Sequence, residues 1–146
     1  MKPNYLTILI TTLCIFFNAC HNSNTAPQLQ LADSLIDKRA DSALCILEKL
    51  SIEEISNKSA KAMYALLLTE ALDKNFKSHR NDSLILIAVD YYKDNSNNTL
   101  KTKAYYHLGR VYQDNKEYIK ATEAYLTALK TASPNQAPIL QIYNNL

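Results

Sequence analysis

Three histidines, three cysteines and a single glycine bound the chemistry open to this chain of 146 residues. His21, His79 and His107 are scattered, with no spacing that would gather them around a metal. Gly109 stands alone, so there is no glycine-rich loop to cradle a phosphate and no Gly-x-Ser-x-Gly turn to present a nucleophile. The neighbouring carboxylates Glu53 and Glu54 sit beside a connection and read as a solvated face. Cys45 reads as a small core residue on a helix, and His107 as an exposed helix residue. These residues imply no catalytic group, no metal, no cofactor and no enzyme. The residue placed for chemistry is Cys20, which closes the run Phe17-Asn18-Ala19-Cys20.

What stands before Cys20 has the layout of an export signal. Lys2 is followed by an apolar run from Tyr5 to Phe17, too short to span a bilayer comfortably. The Ala19-Cys20 pair resembles a lipobox, in which a small residue precedes a cysteine that receives diacylglycerol and becomes the mature N-terminus. That resemblance implies a signal peptide over 1–19 and a lipid anchor at Cys20. Each buried acyl methylene is worth about 0.8 kcal/mol, so the chain would be held on a membrane without crossing it. A polar tether, HNSNTAPQ, completes 20–28. It carries no acidic run, which leans towards the periplasmic face of a bacterial envelope. With Cys14 removed and Cys20 lipidated, Cys45 has no partner for an internal disulfide.

Charge excludes another class. Sixteen Lys and Arg stand against 14 Asp and Glu, interleaved along the chain. Phosphate neutralisation needs clustered cations, so this segment is not expected to bind nucleic acid.

The remaining chain reads as helices. Apolar residues recur at helical spacing over Leu29–Ile36, Ala40–Leu50, Ala60–Asp73 and Asp82–Tyr92. Asp41 falls near the start of the second helix, where negative charge is favoured, and Asp82 or Ser83 would cap the fourth. Polar stretches at Ser51–Asn57, Lys74–Asn81 and Lys93–Thr99 connect them. The stretch from Tyr105 to Ala128 gives two further amphipathic helices around the polar turn Asp114–Glu117. Gly109 inside the first costs about 1 kcal/mol relative to alanine, offset if Ala121 on the facing helix lets the backbones approach.

Tyr105, Leu108, Gly109 and Tyr112, followed by Ala121, Tyr125 and Ala128, resemble the tetratricopeptide repeat (TPR), with Pro134 near its closing proline. The resemblance implies an all-α, right-handed α-solenoid of antiparallel helix pairs with about three repeats. A degenerate repeat covers 29–56, with Ala43 in the place of Ala121. A second covers 57–98, with Tyr64, Leu67, Leu68 and Ala71 falling on Tyr105, Leu108, Gly109 and Tyr112. The clear repeat covers 99–135, and 136–146 would open a further repeat or form a capping helix.

Such repeats present their first helices to a partner. The positions implied are Lys103, Tyr106, Arg110 and Gln113, with Ala62, Ala65, Thr69 and Leu72 one repeat earlier as a smooth, weakly apolar strip. The expected function is a membrane-tethered adaptor binding a protein or peptide on that face. Alternatives are the periplasmic sensory part of a longer membrane regulator of transcription, and a glycan-binding outer-membrane lipoprotein. The second alternative is disfavoured by the absence of tryptophan.

Overall fold

The computed structural model describes residues 25–78 and 81–133. Within them lie six α-helices and no strand: α1 Ala26–Leu35, α2 Ala40–Leu47, α3 Lys58–Lys74, α4 Ser83–Tyr92, α5 Asn98–Asp114 and α6 Tyr118–Thr131. Cys20 and the segment from Pro134 to Leu146 fall outside the described residues.

The helices pair in sequence, and the pairs are antiparallel. Thr102, near the start of α5, meets Thr131 at the end of α6, with hydroxyl oxygens 3.0 Å apart. Tyr92, at the end of α4, places its hydroxyl 3.9 Å from the Met63 sulfur near the start of α3. Successive pairs join through their first helices as well, because α1 packs on α3 and α3 on α5.

The caps of α3 and α5 repeat at an interval of 40 residues. The side chains of Asn57 and Asn97 accept from Ala60 N–H at 3.0 Å and Leu100 N–H at 3.1 Å. Each satisfies a backbone donor that the first turn would otherwise leave orphaned. At the far ends Phe76 (φ 55°) and Lys116 (φ 62°) take left-handed backbone conformations. Around them Lys77 N–H reaches Leu72 C=O at 2.9 Å and Glu117 N–H reaches Tyr112 C=O at 2.8 Å. Both ends are Schellman motifs built without glycine. Phe76 nevertheless lies 98% exposed.

These caps revise the expected repeat alignment. An interval of 40 places Thr69, not Leu68, opposite Gly109. Thr69 is buried and turns its hydroxyl back onto Ala65 C=O at 2.8 Å, so the smaller polar side chain occupies the tight position. The partner of Gly109 also differs from expectation. A Cβ there would lie 2.5 Å from Tyr125 Cδ1 and 2.9 Å from Cζ. The missing side chain makes room for the Tyr125 ring, not for a close approach at Ala121.

Other boundaries shift slightly. Helix α1 begins at Ala26, within the stretch expected to be tether, because Pro27 in its first turn is preset for helix and needs no N–H partner. Helix α2 stops at Leu47, and Ile55, in the connection to α3, turns inward to plug the core. No side chain of Asp82 or Ser83 caps α4. Asn81 does so from one residue earlier, accepting from Ser83 N–H at 3.1 Å.

Three apolar clusters follow in line. Leu29, Ile36, Leu44, Leu47, Ile55 and Leu67 belong to the first. Leu66, Ile85, Val89, Tyr92, Leu108 and Val111 belong to the second. Tyr106, Ala121, Tyr125 and Ala128 form the third. Helices α3 and α5 each contribute to two of them, and this sharing fixes the first helices side by side.

Candidate functional site

The face where α3 and α5 lie together carries a continuous polar seam. On α5, the Arg110 guanidinium donates from Nε and Nη2 to Asp73 Oδ1 at 3.0 and 2.9 Å, and from Nη1 to Gln113 Oε1 at 3.1 Å. Gln113 also accepts from the Tyr125 hydroxyl at 2.9 Å. Two turns back along α5, Lys103 reaches Glu70 Oε2 at 2.9 Å. Lys74 lies 3.8 Å from Glu70 and 2.9 Å from Asp37, which links the seam to the turn after α1. His107 sits among these charges, with Nε2 3.9 Å from Glu70 and Nδ1 3.7 Å from Asp73.

Burial sorts the charges by sign. The Glu70 and Asp73 side chains are 4% and 14% exposed, whereas Lys103, Arg110 and Lys74 are 25%, 27% and 34% exposed. The carboxylates form an inner layer and the cations cover it, each with N–H donors to spare. Ionisation follows that geometry. Burial works against the Arg110 charge, but the bond to Asp73 and its negative charge outweigh this and hold the pKa above the ordinary value. Lys74 is likewise raised, burial being overcome by its bond to Asp37 and by Glu70 nearby. The bond to Lys74 lowers Asp37.

No family model, curated protein or solved structure matches this chain.

Of the residues expected to face a partner, Lys103, Arg110 and Gln113 are half-exposed, and their inward sides are engaged within the chain. Tyr106 is buried, its ring 5.9 Å from Tyr125 and edge-on to His107 at 4.9 Å. The expected strip is not a surface, since Ala62, Ala65 and Thr69 are buried and Leu72 is half-buried. Small side chains at those positions let α5 settle onto α3 and cover them. His107, expected on the outside, is buried because the 40-residue register turns it towards α3 at the place Leu67 holds. Cys45 is exposed instead of buried, as Leu44 and Leu47 take the inward face of α2. Among the expected packing residues, Leu108, Gly109, Ala121, Tyr125 and Ala128 are buried, and Tyr105 and Tyr112 are half-buried.

Sequence reasoning missed Glu70 and Asp73. A signal was present: two acids three residues apart, just after the apolar run from Ala62 to Leu68, need partners if that face is covered. The 40-residue interval brings Glu70 onto Arg110 and Asp73 onto Gln113, so equivalent positions in consecutive units carry complementary groups.

Proposed function

We propose that the chain is a membrane-tethered protein-interaction module of a bacterial envelope, lipid-anchored at Cys20 and facing the periplasm. Its helix pairs stack as a right-handed, TPR-like α-solenoid of about three repeats. A protein or peptide partner lies along the first helices, where Lys103, Arg110 and Gln113 offer spare donors to a carboxylate or backbone carbonyl.

The observation that carries this reading is the cation layer over Glu70 and Asp73. The two carboxylates hold Lys103 and Arg110 in fixed positions, so a partner can use their outward N–H groups without the cost of ordering long side chains. Tyr106 is not part of that surface and acts as packing beneath it.

Two measurements test the reading. Intact mass and membrane fractionation of the natural product should find a lipid-modified Cys20; an unmodified cysteine in the soluble fraction ends the tether. A partner captured by the wild type should be released by Lys103→Gln with Gln113→Ala at a temperature well below the variant's thermal midpoint, which itself falls because Glu70 and the Tyr125 hydroxyl lose their partners. Undiminished capture removes this face from the function.

A further inference from the structure

A second surface lies at the other end of α3, away from the Arg110–Asp73 pair. A cavity of about 760 Å³ opens between α1, the connection after α2 and the start of α3, within the size range of ligand sites. Helix α1 turns Leu29, Gln30 and Asp33 towards it, Leu29 and Gln30 lying one helical turn before Asp33 on the same side of the helix. Glu54, Ile55 and Met63 line the opposite side. Leu29 and Ile55 are buried and form an apolar floor, while Asp33 and Glu54 are exposed.

The charge of this cavity is of one sign. Asp33 and Glu54 are its charged lining residues, and neither forms an ion pair with a described residue. Nearby acids of similar exposure do find cations within the chain, as Asp37 with Lys74 and Glu48 with Lys77. An apolar floor between two unneutralised carboxylates suits one kind of occupant, a long side chain with an aliphatic stem and a cationic head.

We propose that this groove binds an extended peptide segment through a Lys or Arg side chain. The stem lies over Leu29, Ile55 and Met63, the head sits between Asp33 and Glu54, and Gln30 and Asn57 at the rim meet the peptide backbone. The interaction is separate from the Lys103–Arg110 face and selects the opposite charge.

Calorimetric titration of the full chain with acetylated, amidated Leu-Arg-Leu, and with Leu-Gln-Leu, tests this. The arginine peptide should bind about tenfold more tightly than the glutamine one, and Asp33→Asn with Glu54→Gln should erase that difference. Both substituted positions are exposed, and the thermal midpoint checks that the fold is intact. Lys103→Gln should leave the binding unchanged. Absence of binding, equal binding of the two peptides, or loss with Lys103→Gln but not with the acid pair would overturn the assignment. So would arginine amide binding as tightly as the peptide, which would make the occupant a free cation.

Discussion

A methyl group at Gly109 would meet the Tyr125 ring at 2.5 Å, and that ring is 1% exposed and tied through its hydroxyl to Gln113. The ring has no open side to move into. Overpacking of this kind costs about 1–3 kcal/mol, against about 1 kcal/mol gained from helix propensity. Gly109→Ala should therefore lower stability by up to about 2 kcal/mol in chemical unfolding, and an unchanged midpoint would mean the ring relocates freely. Two buried tyrosines set the alkaline limit. Burial pushes Tyr92 up to about 12 and raises Tyr125 as well. A phenol whose folded pKa is raised contributes stability in full below its unfolded value near 10 and loses it as pH rises through the folded value. The fold should weaken by on the order of 2 kcal/mol between about pH 10 and pH 12. Tyr92→Phe with Tyr125→Phe should flatten that decline, and a decline just as steep in the double variant would place its origin elsewhere.

At the scale of elements, α3 and α5 are held together by charges and terminated by matched caps. Removing Arg110 leaves Asp73 mostly buried beside His107, so Arg110→Ala should cost about 2 kcal/mol, less than the 3–5 kcal/mol of a fully buried pair. A double-mutant cycle with Asp73→Ala should give a coupling of about 1–2 kcal/mol, and additivity would sink the pairing as a determinant of helix placement. The Schellman end at Phe76 gives the opposite sign. A non-glycine residue at positive φ costs about 1–2 kcal/mol, and an exposed Phe76 recovers nothing by burial, so Phe76→Gly should stabilise by roughly 0.5–1 kcal/mol. Helix positions were legible because apolar spacing survives within each segment. The Asn57 and Asn97 caps were equally open to a sequence reading, being side chains just before periodic runs. The left-handed ends were not, because glycine is the usual signal and Asn75-Phe76 and Asn115-Lys116 supply none. That gap left the two asparagines as the sole markers of the 40-residue interval, which sets the inward direction of His107. The Lys103–Arg110 face was legible as a stripe, but its carboxylate underlayer required knowing which turn of α3 lies beside which turn of α5.

For the molecule as a whole, shared helices make the three clusters interdependent. Leu47 belongs to the first cluster and is fully buried, so Leu47→Ala should cost about 3 kcal/mol. Because α3 carries that loss into the second cluster, one transition should shift, with helix content and tyrosine signal still coinciding. Two separated transitions would show that the clusters fold independently. The seam adds a constraint of another kind. Glu70 and Arg110 hold the same place in successive units, as do Asp73 and Gln113, so the units are complements and not copies. A tandem duplication of the stretch from Asn98 to Thr131 would set a second copy of Lys103 against Arg110, where Lys103 itself meets Glu70, and a second arginine against Gln113, where Arg110 itself meets Asp73. Lengthening this array by gene duplication would thus require a compensating charge reversal in the same step, and the order of its units is as fixed as that of links machined to fit only one neighbour.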